Sequence, residues 1–310
     1  MRVLIAGGTG LVGTGLANAL VAEGHTVSVT ARHPQKASTL DPRVERLSWD
    51  GQSTTGWGSR LDGADAVVNL AGETLGGTSL GEIFFQRWTA SKKREIVESR
   101  LNAGRAIVEA VRAARRKPSV LVQMSAVGFY GPRTDREIDE TASPGTDFLA
   151  HVCQDWERST EGVEDLGVRR VVVRTGLVLS PRADLFRVIL LPFRFFVGGP
   201  LGSGRQGFSW VHGEDHRRAL QFLVAEPRAA GVFNLTAPEP VTNAEMGRAL
   251  ARALHRPYWF PVPGFLLRLV LGEKSTLVLD GQRVVPQRLL DQGFSFRFPD
   301  IGSAAADLLV

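Results

Sequence analysis

Cysteine is nearly missing. Cys153 stands alone in 310 residues, which rules out an internal disulfide and an all-cysteine zinc site. A reduced, cytoplasmic setting is the resulting expectation, and no metal site is expected. Long apolar runs are missing too. The longest, near residues 185–198, is broken by Arg187, Pro192 and Arg194, whereas a spanning helix needs about 20 mostly apolar residues. The opening Met1-Arg2-Val3-Leu4-Ile5-Ala6 runs directly into Gly7-Gly8, too short a run for the apolar part of a secretion signal. Nothing repeats at a fixed period, which argues against a solenoid. A composition of 43% hydrophobic and 22% charged residues is that of an ordinary globular chain.

No large charge excess of one sign is present either. Lys and Arg number 37 against 32 Asp and Glu, giving net +5. The densest basic knot, Arg112, Arg115, Arg116 and Lys117, falls where a helix would end before Pro118. Cations there offset the negative end of the helix dipole. With the remaining charge scattered, nucleic acid is not an expected partner, nor is a membrane. A small molecule bearing phosphate is, and the chain is expected to be a monomer or a homodimer.

What is present is a strand–helix alternation. Arg2–Ala6 is an apolar run without polar alternation, as a strand covered on both faces requires. A glycine-rich turn follows, then a helix from Leu11 to Glu23 stopped by Gly24, then a strand over Thr26–Thr30. Further strands are read at Val44–Trp49, Ala64–Leu70, Ser119–Ser125 and Arg170–Leu179. Helices are read at Ile83–Arg115 and Phe148–Asp165. This pattern predicts an α/β fold with a doubly wound parallel sheet. After about residue 180 prolines and glycines break the rhythm. Residues 1–180 are read as a nucleotide-binding domain and 181–310 as mainly a smaller substrate lobe, with one return to the sheet near 208–235.

Gly7-Gly8-Thr9-Gly10-Leu11-Val12-Gly13 sits between the first strand and first helix. There, Gly7 permits the tight turn, Gly10 lets backbone approach a pyrophosphate, and Gly13 lets helix and strand pack closely. The second strand ends in Thr30-Ala31-Arg32-His33, with Lys36 shortly after. An acid here would repel a ribose 2′-phosphate, while a guanidinium pairs with it bidentately, so NADP(H) is the expected cofactor. Asp50 is read either as an acceptor for the adenine amino group or as a plain turn residue. Leu70, Ala71 and Gly72 close the strand at the sheet edge and leave room for the cofactor.

Taken with these, Asn69-Leu70-Ala71-Gly72-Glu73, Ser125-Ala126-Val127-Gly128-Phe129-Tyr130-Gly131 and Arg174-Thr175-Gly176 resemble the extended short-chain dehydrogenase/reductase superfamily. Asp155-Trp156-Glu157, the loop Gly198–Gln206, Ser209-Trp210-Val211-His212 and the tail from Gln282 to Phe294 narrow the likeness. They resemble its sugar-nucleotide-epimerase-like "epimerase family protein" subgroup, which carries a C-terminal domain of unknown function; some members bear the label cell-division inhibitor. The resemblance implies a Rossmann domain and a nicotinamide dinucleotide touched by Ser125 and Gly176. It also implies a catalytic Ser, with a Tyr and a Lys four residues apart.

The sequence departs from that set. Its two tyrosines, Tyr130 and Tyr258, are followed four residues later by Thr134 and Val262. Alignment of the helix beginning at Phe148 puts Leu149 at the Tyr position and Cys153 at the Lys position. Leucine cannot transfer a proton, and a neutral thiol is no substitute for an ammonium. Ser125 remains as the residue to orient a substrate oxygen. Tyr130 and Glu73 are the candidate replacement acid/base groups, since such a group must stand within about 3 Å of the proton. Cys153 is read as a buried inert thiol, His151 as surface, and His212 and Asp215 as strand-end and helix-cap residues. Arg205 and Gln206, behind a glycine-rich loop, are candidates for binding an anionic substrate. Arg100, on a helix face shared with Lys93, is another. The functional expectation is an NADP-dependent epimerase or oxidoreductase acting on a sugar-nucleotide-like or other anionic carbonyl compound. The alternative is a non-catalytic NADPH-binding sensor or regulator.

Overall fold

The computed structural model describes residues 1–77 and 80–309. Strands Arg2–Ala6 (β1), Thr26–Ala31 (β2), Glu45–Ser48 (β3) and Ala66–Asn69 (β4) form the first half of the central sheet, with helix Leu11–Ala22 (α1) linking β1 to β2. After β4 come helices Leu80–Phe85 (α2) and Ala90–Ala113 (α3), strand Val120–Ala126 (β5), the short strand Arg133–Ile138 (β6) and helix Phe148–Arg158 (α4). Arg169–Thr175 (β7) and Leu177–Leu179 (β8) follow, then helix Asp184–Arg194 (α5), strands Gly207–Phe208 (β9) and Trp210–His212 (β10), helix Gly213–Ala225 (α6) and strand Gly231–Leu235 (β11). Strand Val241–Thr242 (β12) and helices Asn243–Ala253 (α7), Gly264–Leu271 (α8) and Thr276–Leu279 (α9) lead to strand Gln282–Val284 (β13). Helices Gln287–Asp291 (α10) and Ile301–Leu309 (α11) close the described chain.

The main sheet has seven strands in the order β11-β7-β5-β4-β1-β2-β3, every pair parallel. This is a Rossmann-like α/β fold, and its order reverses between β1 and β4, where ligands of such sheets bind. Alternation along each strand builds a core on each face. Val3, Ile5, Val29, Val68 and Val122 pack on one side with Leu16 and Leu20 of α1 and Leu220 and Leu223 of α6. Leu4, Val67 and Leu121 pack on the other with Ala103, Ile107 and Val111 of α3.

Three predicted elements are each divided in two; the helix read over Phe148–Asp165 is α4, ending at Arg158, and then a separate 3-10 helix over Glu161–Leu166. The single helix read over Ile83–Arg115 is α2 followed by α3, because Thr89 takes an extended backbone and its hydroxyl caps α3 by accepting from Lys92 N. The strand read over Arg170–Leu179 breaks at Gly176, where a Cβ would stand 2.7 Å from the Ser209 carbonyl oxygen. Beyond that point β8 leaves the main sheet and pairs with β10. The chain returns through β11, which joins β7 at the sheet edge.

The rest of the C-terminal lobe packs around Phe186, Leu190 and Phe193 of α5, Met246 and Leu250 of α7, and Ala304 and Ala305 of α11. Helix α8 buries no residue. Among the described residues, no helix is long and apolar enough to cross a membrane.

Candidate cofactor and substrate site

The turn after β1 is shaped by missing side chains. Gly7 adopts φ +74°, which favours glycine, and a Cβ there would lie 2.9 Å from the Ala71 Cα. The first turn thus presses against the backbone that ends β4. A Cβ on Gly13 would fall 2.6 Å from the Gly8 Cα, so α1 docks on the turn only because residue 13 has none. Gly10 differs: its Cβ would meet nothing closer than the Gly7 carbonyl oxygen at 3.9 Å. Its missing side chain serves no packing within the protein and leaves backbone open to a ligand. Gly10 is the N-cap of α1 and supplies no side-chain cap; the first ladder bond runs from Thr14 N to Gly10 O. The N–H groups of Leu11, Val12 and Gly13 therefore stay free at the positive end of a 12-residue helix, as a pyrophosphate requires. Thr9 is half-buried and Leu11 exposed beside them, while Val12 packs on the core. The cradle fits a dinucleotide.

Arg32 continues from the end of β2 with its side chain 70% exposed, and Lys36 lies exposed in the following turn. Arg32 Nη2 is 3.3 Å from a Glu73 oxygen, and Lys92 Nζ donates to the other at 2.9 Å. Burial alone would raise the Glu73 carboxyl, but Lys92 and Arg32 outweigh it and hold its pKa below the ordinary value. Glu73 is thus a carboxylate fixing two cations, a form unable to donate a proton at neutral pH. Asp50 lies in its own turn: one oxygen accepts from Gln52 N and Ser53 N, the other from the Ser53 hydroxyl. The turn reading fits it, and its carboxylate is already engaged.

Leu70 and Ala71 stand half-buried over the end of β4, with Ala71 N bound by the Asn69 side chain. Gly72 is exposed beyond them. Gly176 is elsewhere. It is buried against Ser209 and Thr236, where a Cβ would not fit.

On the β5 side, the sequence-derived catalytic residues enter a sealed polar network. Ser125 and Tyr130 are both 0% exposed. The Ser125 hydroxyl donates to Glu157 Oε1 of α4 at 2.7 Å. Arg174 of β7 forks onto both Glu157 oxygens at 2.8 and 2.9 Å, its guanidinium lies against the Phe129 ring, and its Nη1 donates to the Tyr130 hydroxyl at 3.1 Å. That hydroxyl donates in turn to Asn234 Oδ1 at 2.7 Å. Burial raises the Tyr130 pKa against the opposing pull of Arg174. Tyr130 is therefore a structural tyrosine, which corrects the acid/base expectation for it. Glu157 and Arg174 were not singled out from the sequence as a pair. The available signal was an arginine directly after Val171-Val172-Val173, a charge in a central strand that needs a counter-ion.

Leu149 and Cys153 occupy the facing stretch of α4. A Cβ on Gly128 would meet Leu149 at 3.5 Å and the Cys153 sulfur at 3.8 Å, so both positions face the loop after β5, and neither carries an acid or an ammonium. Burial pushes the Cys153 thiol up to about 11, the pKa of an inert group. His151 is exposed. His212 Nδ1 caps α6 by accepting from Glu214 N, and Asp215 accepts from the backbone of Arg297 and Phe298.

Of the substrate candidates, Arg205 is exposed at the end of its loop. Gln206 is buried and spends its amide hydrogens on the Leu201 and Val278 carbonyls, so it clamps the loop. The basic face of α3 is mostly neutralised, with Lys92 on Glu73 and Lys93 on Glu273. Arg100 is buried, not on an open wall. Among the described residues, no three His, Cys, Asp or Glu side chains gather as a metal site would need.

Comparison with known proteins agrees with this geometry. The profile of the NAD dependent epimerase/dehydratase family matches residues 3–236, and that of a domain of unknown function, DUF1731, matches residues 262–308. Epimerase family protein YfhF of Bacillus subtilis is 34% identical over 310 residues, covering 100% of this chain and 98% of its own. The crystal structure of human epimerase family protein SDR39U1 with NADPH superposes with a TM-score of 0.88 at 34% identity, covering 100% of this chain and 99% of the human one. UDP-glucose 4-epimerase of Thermus thermophilus with NAD shares the fold at TM-score 0.77 and 20% identity, covering 100% of this chain and 97% of that one. The glycine turn, the parallel sheet and the matched tail together make this chain a member of the NAD dependent epimerase/dehydratase family, of the extended short-chain dehydrogenase/reductase type with a C-terminal DUF1731 segment.

Proposed function

We propose that this chain binds NADP(H) and exchanges hydride between it and an anionic carbonyl or sugar-nucleotide-like compound, without a tyrosine–lysine pair. The observation that carries the cofactor is the open, uncapped start of α1 with Arg32 exposed at the end of the neighbouring strand. The NADPH bound to the human relative supports it. When bound, the cofactor would supply the hydride. The chain's own residues would hold it: the α1 N–H groups on the pyrophosphate, Arg32 with Lys36 on a 2′-phosphate, and Leu70, Ala71 and Gly72 beneath its path. Arg205, exposed at the end of its glycine-rich loop, is the cation for an anionic substrate.

A second reading has a specific observation in its favour. Tyr130 is sealed, Glu73 is held ionised, and positions 149 and 153 carry Leu and Cys, so none of these four is poised to exchange a proton. The second reading is an NADPH-responsive binding protein without turnover. The experiment that separates the two follows NADPH absorbance as anionic carbonyl compounds and sugar nucleotides are added to purified protein. Sustained oxidation that Arg205→Ala weakens through KM supports the enzyme. Tight NADPH binding with no consumption across the panel supports the sensor.

A further inference from the structure

Two arginines lie in the polar layer beneath the crevice, and among the described residues only one is in contact with a counter-charge. Arg174 has the bidentate Glu157. Arg100, of α3, is 7% exposed and makes no ion pair among the described residues. Its Nη1 donates to the Ile96 carbonyl of its own helix at 2.9 Å, and its Nε is shut off from solvent with no partner at all. The guanidinium lies 4.6 Å over the Trp156 ring of α4. A buried charge is normally paired, and an unmatched one is costly. Burial lowers the Arg100 pKa only to about 10, so it stays protonated at neutral pH.

Its surroundings give it a direction. A Cβ on Gly72 would stand 3.2 Å from the guanidinium carbon and 3.4 Å from the orphaned Nε. The missing side chain of Gly72 thus lets the guanidinium lie close against the backbone at the end of β4. Cys153, protonated, faces it from α4; the Glu73 carboxylate also acts on it from a distance, but both its oxygens are held by Lys92 and Arg32. A dinucleotide spans the switch point of such a sheet with one nucleotide on each half. Arg32, on β2, marks the adenosine half. Arg100, between the end of β4 and α4, lies under the other.

We propose that Arg100 is the resident cation of the nicotinamide half, filling the role vacated at position 153 and making the site select the reduced cofactor. This rests on the NADP(H) reading above. NADPH and NADP⁺ carry identical phosphates and riboses and differ in ring charge, neutral in the first and positive in the second. A fixed cation in a low-dielectric pocket repels the positive ring, and at separations of several ångströms this amounts to about tenfold or more in affinity. The outer amino group not engaged by Ile96 is a donor for a ribose hydroxyl in either form.

The test is a titration of the purified protein with NADPH and with NADP⁺, read by calorimetry, for native protein, Arg100→Gln, Arg100→Lys and Arg32→Ala. Native protein is expected to bind NADPH about tenfold or more tighter than NADP⁺. Arg100→Gln collapses that ratio toward one, and Arg100→Lys retains it. Arg32→Ala weakens both forms together and leaves the ratio in place, because both carry the 2′-phosphate. Should Arg100→Gln fail to fold, the Lys variant decides: its ratio must fall as pH rises through the lysine pKa. Equal binding of the two forms by native protein overturns the proposal, as does a ratio unchanged in Arg100→Gln or a Lys ratio indifferent to pH. Binding of neither form by native protein is a different result, since it removes the NADP(H) reading itself.

Discussion

The two halves of the crevice are built on opposite principles. On the β1–β2 side the protein works by omission: Gly7 and Gly13 remove side chains so that the turn packs closely, Gly10 leaves backbone open, and Arg32 and Lys36 stay exposed. On the β5–β7 side it works by enclosure. Ser125, Tyr130, Glu157, Arg174 and Asn234 satisfy one another inside the fold. A ligand is already anticipated in the first half, while in the second the groups that would do proton chemistry are committed to stability. Where one set of side chains must hold strands and helices together, it cannot also be free for a substrate.

That contrast is broken most severely by removing the shared acceptor. Glu157→Ala leaves the Arg174 guanidinium and the Ser125 hydroxyl buried without their partner, and we expect a loss of about 3–5 kcal/mol in stability, measured by urea unfolding. Glycine substitutions along α1 sharpen the comparison within one helix. Gly13→Val drives a branched side chain into the Gly8 backbone and is expected to cost about 1–3 kcal/mol and most NADPH affinity. Gly15 has nothing within 4 Å of its Cβ position, so Gly15→Ala stabilises the helix by about 0.5–1 kcal/mol and leaves binding unchanged. Tyr130→Phe strips one hydroxyl from the enclosed network. It is expected to cost about 1 kcal/mol with no change in NADPH affinity, and a loss of turnover without a loss of stability would refute its structural role.

The smallest effect concerns Cys153. With its thiol raised to about 11 by burial, the thiolate is scarce at neutral pH and grows only as pH rises toward that value. Alkylation of native protein near neutral pH is expected to be negligible and to become fast on unfolding. Ready labelling of folded protein would mean that this helix face is open.

The sequence made the omitting half legible because a glycine required by a close approach has no substitute, and three of them in one turn leave a pattern. The place of Arg32 was legible too, as a single residue that the structure keeps exposed just beyond the end of β2. The enclosing half was not. Glu157 and Arg174 are 17 residues apart on different elements, and no spacing rule links them. The resemblance placed Gly176 at the cofactor but gave no sign of its close packing against Ser209. The division of α2 from α3 was missed because Gln86-Arg87-Trp88-Thr89 contains neither glycine nor proline, and the break is made by a threonine cap. Arg100 was read on a basic helix face, yet the face turns inward beneath Gly72. Gln206 likewise looked free in a glycine-rich loop and is fixed by two carbonyls.

The account stands most directly on one comparison of affinities. Purified protein is titrated side by side with NADPH and NADH, and again as Arg32→Ala. Tight NADPH binding, weak NADH binding and a roughly tenfold or greater loss for NADPH alone in the variant is the predicted result, the size expected for a hydrogen bond to a charged group. Equal affinity for the two cofactors, or none for either, would contradict it.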